Sequence, residues 1–223
     1  MSDVYLSIKA IRPLKEYLKE TGINVHYITG AGSQVDKYIR HHADLYMCQF
    51  GIGENAQVFM GEDGKLGPKY PQDAVYNAAA GDKLFIHKLA ITDPALLDAA
   101  KDMGLEPVDV RQGYARCSCL PLPGNSFITP DIGISEALMA AGADTLVIEP
   151  AHVFLEGYRY GFLGGTCGTI MVDDQLTLVF NGDVTKHPNG YEIIEFAQAH
   201  GVAVKYFDGE PLTDIGSIIY SHK

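Results

Sequence analysis

The C-terminal stretch "PLTDIGSIIYSHK" (211–223) decides how the rest of the chain is read. After a polar break, Ile215, Ile218, Ile219 and Tyr220 have the β-branched and aromatic make-up of a strand, yet no partner strand follows them. At the other end, "VYLSI" (4–8) reads as a strand with nothing in front of it. Each unpartnered strand is what the other lacks, so the last strand is expected to pair with the first unit of the chain.

Working inward, four segments repeat one pattern of amphipathic helix, glycine and strand. They are "IRPLKEYLKETGINVHYI" (11–28), "PALLDAAKDMGLEPVDV" (94–110), "GISEALMAAGADTLVIE" (133–149) and "GYEIIEFAQAHGVAVKYF" (190–207). Apolar residues recur at helical spacing, as Leu96, Leu97, Ala100 and Met103 do. Gly22, Gly104, Gly142 and Gly201 stand where a helix ends in a left-handed residue. Pairs of short apolar runs precede three of the helices: "AVYNAAAGDKLFIH" (74–87), "ARCSCLPLPGNSFIT" (115–129) and "GTCGTIMVDDQLTLVF" (165–180). Gly81-Asp82, Gly124-Asn125 and Asp173-Asp174 are read as tight hairpin turns between them. The unit is therefore strand, strand, helix, strand. Gly22 and Gly104 lie more than twice as far apart as Gly104 and Gly142, and "DLYMCQFGIGENAQVFMG" (44–61) fills the gap as a unit without its helix.

Five such units closed by the C-terminal strand predict one α/β domain over 1–223, a pseudosymmetric propeller of ββαβ units with no free sheet edge. The alternative is an ordinary α/β sheet with an antiparallel edge strand.

Composition narrows the function classes. The 223 residues carry a formal charge of −11 and no dense basic patch, which argues against a nucleic-acid backbone or an anionic membrane as partner. No signal-peptide core opens the chain and no long apolar run occurs, so a soluble, cytoplasmic protein is expected. Four cysteines without a secretion signal do not predict a disulfide framework.

This arrangement resembles the pentein fold over essentially the whole chain. That superfamily holds guanidino-group enzymes (arginine and agmatine deiminases, dimethylarginine hydrolases, amidinotransferases) and non-enzymatic translation initiation factors that bind the ribosome. "YIRHHAD", "YGFLGGTCG" and "LTDIGSIIY" look closest to bacterial members without an assigned activity. In the enzymes a catalytic cysteine begins the last strand in a Leu-Thr-Cys pattern; the matching residues are Leu212, Thr213 and Asp214. The position of their general-base histidine falls near Gly164-Gly165, and their acidic-glycine-glycine-aspartate pattern survives only as "AAAGD" (78–82). A standard deiminase or amidinotransferase is therefore not expected. The resemblance implies a small cationic, guanidino or amide-containing ligand in a central channel, with divergent hydrolase or transferase chemistry. Its other implication is a non-catalytic module that binds a protein partner or a second copy.

Candidate residues follow. Asp214 is a carboxylate in the nucleophile's place, and carboxylates can act as nucleophiles. Cys48, Cys117, Cys119 and Cys167 all fall on expected first strands, and the two-residue spacing of Cys117 and Cys119 puts them on one strand face. Cys167 and Cys119 are the favoured displaced nucleophiles. Cys-x-Cys is not zinc-site spacing, so no metal and no cofactor are expected. "HHAD" (41–44) groups His42 and Asp44 for cation binding or proton transfer. Asn77, Asn125 and Glu149 add polar contacts. "GFLGGTCG" (161–168) lacks the lysine of a phosphate loop, so Gly164 and Gly165 are read as sites of close approach to ligand or backbone. Tyr114, Tyr158 and Tyr160 surround that loop, while Asp183 and His187 look solvent-facing.

Overall fold

A computed structural model describes residues 2–223 as a mixed α/β protein with several small sheets and five helices among the described residues. Strand β1 (Asp3–Ser7), helix α1 (Arg12–Glu20) and strand β2 (Asn24–Ile28) open the chain, with β2 parallel to β1 from Asp3↔Asn24 to Ser7↔Ile28. Strands β3 (Met47–Phe50) and β4 (Gln57–Met60) form an antiparallel hairpin followed by a 3-10 turn at Asp63–Lys65 rather than an α-helix. Next come β5 (Ala79–Ala80), β6 (Leu84–His87), α2 (Pro94–Asp102) and β7 (Glu106–Asp109). A one-turn helix α3 (Ala115–Ser118) precedes β8 (Leu120–Leu122), β9 (Ser126–Thr129), α4 (Ile132–Ala140) and β10 (Asp144–Val147). Strands β11 (Cys167–Val172) and β12 (Gln175–Phe180), helix α5 (Gly190–Ala199) and strand β13 (Ala203–Lys205) follow. In each three-stranded sheet the middle strand takes one antiparallel neighbour and one parallel neighbour, the latter reached through a helix.

The last strand, β14 (Ile219–Ser221), pairs antiparallel with β1 through Asp3↔Ser221, Val4↔Tyr220 and Tyr5↔Ile219. It is shorter than the run 213–220 that the sequence marks. Thr213 instead bridges Phe154, and residues between Asp214 and Ile218 take irregular backbone with Gly216 and Ser217 at φ 73° and 66°. Besides β1, β14 packs beside β3, β4 and β11, while β5 packs beside β3 and β8. The short helix α3 fills the space between β5 and the turn at Gly164–Thr166.

Local chemistry accounts for the helix ends. Asp93 caps α2 by accepting from the Ala95 and Leu96 amides, and Pro94 occupies a position that needs no donor. The helix-ending glycines Gly22, Gly104, Gly142 and Gly201 all lie at φ 73° to 76°. Two hairpin turns carry two consecutive residues at positive φ: Gly124-Asn125 (74°, 61°) in the three-residue loop between Leu122 and Ser126, and Asp173-Asp174 (47°, 59°) in the two-residue loop between Val172 and Gln175.

The structure corrects three local expectations. Gly81-Asp82 is not such a turn: Gly81 has no positive φ and its amide donates to the Leu84 carbonyl, so the two-residue turn falls at Asp82-Lys83. Cys117 lies in α3 rather than on a strand, so the argument that put Cys117 and Cys119 on one face fails. Asp183 and His187 are buried, because Asp183 accepts from the Thr185 and Gly209 amides and His187 Nε2 donates to the Glu149 carbonyl. No helix among the described residues is long and apolar enough to cross a membrane.

Candidate functional site

The ends of β14, α3 and the 3-10 turn Ala43–Leu45 converge on a cluster of buried polar residues. Asp214 is held by the irregular segment before β14: its Oδ2 accepts from the Phe162 amide and its Oδ1 from the Gly216 amide, both at 2.9 Å. Burial nevertheless lifts its pKa to about 6, against which the two amides and the nearby Arg116 act. His42 caps the 3-10 turn with Nδ1 3.8 Å from Asp214 Oδ1. Burial holds His42 at about 4, so its imidazole is neutral, and its Nε2 has no partner.

Asp44 is the second carboxylate. Its Oδ2 sits 2.5 Å from Ser217 Oγ and 3.0 Å from Cys117 Sγ, while its Oδ1 is buried without a partner. Desolvation raises its pKa. Among the described residues neither carboxylate forms an ion pair with a lysine or arginine. Arg116 is buried as well, but its guanidinium donates to the Gly164 and Cys167 carbonyls at 3.0 Å each. Asn77 locks α3 in place by accepting from the Arg116 and Cys117 amides.

Glycine makes this density attainable. A Cβ on Gly165 would meet the Asp214 carboxylate, and one on Gly216, already at φ 73°, would meet the His42 side chain.

Above the cluster opens a cavity of about 540 Å³, with His42, Cys117 and Asp214 on its floor. Tyr70, Tyr114, Tyr158, Tyr160 and Phe162 wall it, with Gln112 and Arg159 among the other lining residues. Tyr114 is fixed by its hydroxyl, which donates to Asp73 Oδ2 at 2.9 Å. Tyr158 and Tyr160 stay partly exposed. A smaller cavity of about 190 Å³ shares Gln112, Tyr160 and Phe162 with the first and is lined also by Glu149, His152 and His187.

Of the residues singled out in the sequence, Asp214, His42 and Asp44 come together, Asn77 supports them, and Gly164 and Gly165 pack against α3 and Asp214. Cys167 is adjacent through its backbone, but its thiol donates to the Leu163 carbonyl and packs in a separate apolar cluster. Cys119 is buried in another apolar cluster, and Asn125 forms the β8–β9 turn. Burial pushes both Cys119 and Cys167 up to about 12. The thiol that reaches the cavity is Cys117, held well above the usual range by burial and then by Asp44 and Asp214. Arg116, Ser217 and Phe162 went unmarked in the sequence. For Arg116 a signal existed: it is the sole lysine or arginine between Arg111 and Arg159, inside the apolar run "ARCSCLPL".

The model of a family of unknown function (DUF6873) matches residues 52–219. The chain belongs to that family. The DUF6873 match takes in Cys117, Gly164, Gly165, Asp214 and Ser217, and begins after His42 and Asp44. No curated protein matches the chain.

Proposed function

We propose that this DUF6873 member binds a small organic cation, with a guanidinium or ammonium head, in the aromatic-walled cavity. The observation that carries the reading is the floor: a buried carboxylate, Asp214, and an unpartnered imidazole nitrogen, His42 Nε2, beneath a ring of aromatic faces. The Asp214 carboxylate accepts hydrogen bonds, the neutral imidazole of His42 adds no competing charge, and the aromatic faces favour a cation over a neutral or anionic head. A volume of about 540 Å³ suits a metabolite-sized ligand.

The fold reading that goes with it is a pentein-like propeller, five units around a centre. Its support is the pairing of β14 with β1 and the succession of neighbours around the middle of the molecule: β14 beside β3, β3 beside β5, β5 beside β8, α3 beside the Gly164–Thr166 turn, and β11 beside β14. Asp214 then sits at the closure of the ring. Any hydrolase or transferase chemistry of this site would run through Cys117, since it is the cysteine on the cavity floor.

A thermal-shift series with methylguanidinium, agmatine and tetramethylammonium, and urea as the neutral control, tests the binding reading on wild type and Asp214→Asn. A raised midpoint with a cation but not with urea, lost in the variant, is expected. Equal response to urea, or no response to any cation, would remove the reading and favour the protein-binding alternative.

A further inference from the structure

We propose that the cavity floor is a proton–cation exchange site: in the ligand-free protein Asp44 carries a proton as a neutral carboxylic acid, and seating an organic monocation beside Asp214 expels it, one proton per ligand. The exchange step rests on the cation reading above; the protonation of Asp44 does not.

The hydrogen-bond inventory leads to the proton. Asn77 Oδ1 accepts from two backbone amides, so its amide nitrogen is the atom 3.4 Å from Cys117 Sγ. The sulfur accepts there, and its single proton points to Asp44 Oδ2 at 3.0 Å. Ser217 Oγ also has one proton, yet it faces two oxygens, Asp44 Oδ2 at 2.5 Å and the Gly164 carbonyl at 3.0 Å. With Asp44 ionised, one of those oxygen–oxygen contacts has no proton in it. With a proton on Asp44 Oδ2, Asp44 donates to Ser217 and Ser217 donates to Gly164, and both contacts are hydrogen bonds. The remaining Asp44 oxygen, Oδ1, is buried without any donor, which a neutral carbonyl oxygen tolerates far better than half of a carboxylate.

Asp214 differs in kind. Each of its oxygens takes a backbone N–H, the pattern that stabilises an ionised carboxylate. The charged and titratable groups facing Asp44 are His42 from its own turn, Cys117 from α3 and Asp214 from the segment before β14, while Arg116 acts on Asp214. His42 is neutral and Cys117 is a thiol, so the charge that Asp44 meets is the ionised Asp214, beside which a second carboxylate is disfavoured. A bound cation places a positive charge beside both carboxyl groups, which favours the ionised form of Asp44 and releases its proton to solvent. This splits two carboxyl groups into a proton holder and a charge holder through their surroundings alone.

Infrared spectroscopy of the ligand-free protein near neutral pH tests the first half. A protonated-carboxyl C=O band is expected in wild type and in Asp214→Asn and is absent from Asp44→Asn. Should Asp44→Asn fail to fold, Ser217→Ala serves instead, shifting the band by removing its hydrogen-bond partner. No such band, or a band that follows Asp214, overturns the assignment. The second half is read by calorimetric titration with methylguanidinium in two buffers of different ionisation enthalpy: release of about one proton per ligand is expected, with loss of the infrared band at saturation. A band that survives saturation, or binding without proton release, overturns the exchange. Failure of methylguanidinium to bind removes the cation reading and the exchange together, while the band in the ligand-free protein still decides the state of Asp44.

Discussion

Ser217 Oγ lies 2.5 Å from Asp44 Oδ2, a contact that spans 173 positions of chain and ties the closing segment to the turn before β3. Ser217 reaches it from a left-handed backbone at φ 66°, unusual for a residue with a side chain. The strain is held in place by its surroundings: the Ser217 amide and the Ile215 amide both donate to the Gly165 carbonyl, and the Ile218 amide donates to the Cys167 carbonyl. The polar cluster and the segment that leads into β14 are thus one structure.

The pH dependence of stability separates Asp214 from the buried histidines. Its pKa, raised from 3.8 to about 6, makes the folded state bind more protons than the unfolded state, so its contribution is full below the unfolded value and falls as pH rises from 4 to 6. His42 and His87, both lowered from 6.5 to about 4, act with the opposite sign and gain with pH over that window. Asp214→Asn removes the falling part and adds a pH-independent offset for a changed acceptor. Urea unfolding at a series of pH values should show the variant improving relative to wild type by about 2 kcal/mol between pH 4 and 6. A flat difference would show that Asp214 titrates at its ordinary value.

Two glycine substitutions should differ sharply. Gly22→Ala meets open space at φ 73° and should cost about 1 kcal/mol from backbone strain alone. Gly165→Ala drives its methyl into the Asp214 carboxylate and should cost at least 3 kcal/mol or prevent folding, in line with overpacking of a filled interior. Denaturant midpoints measure both.

All four cysteines are buried and free, with Cys48, Cys119 and Cys167 pushed up to about 12. A bulky anionic disulfide reagent should label none of them in the native protein and all four after unfolding. A small neutral methanethiosulfonate should label Cys117 first, through the cavity, and a cation that occupies the floor should slow it. Mass spectrometry of the labelled peptides reads the order; first labelling at Cys119 or Cys167 would contradict the placement.

Tyr220 anchors the pairing of β14 with β1. It is fully buried, its backbone pairs with Val4, and its hydroxyl donates within a group formed with Ser2 and His222. Tyr220→Ala should cost about 3–5 kcal/mol, and Tyr220→Phe about 1 kcal/mol. If the alanine variant kept wild-type stability, the pairing of β14 with β1 would not be what holds the two chain ends together.

The chain by itself determined what is local. The helix-ending glycines, the aspartate cap of α2, the two left-handed hairpin turns and the two unpartnered terminal strands are consequences of a few neighbouring residues, and each is written in the sequence around it. "HHAD" could be marked as chemistry because an imidazole and a carboxylate stand together just ahead of a strand, and Asp214 because a carboxylate begins the last strand where the resemblance puts a nucleophile. Which cysteine belongs with them was decided only by packing. Cys117, Cys119 and Cys167 look alike in sequence, but one helical turn at Ala115–Ser118, accepted by Asn77 from a distant loop, points Cys117 alone at the cavity floor. The partners of Arg116, the 2.5 Å contact of Ser217 with Asp44 and the aromatic walls all join residues far apart in the chain. Local sequence sets backbone preference within a few residues; the distance between two side chains on remote elements is set by how those elements pack, and there the site was made.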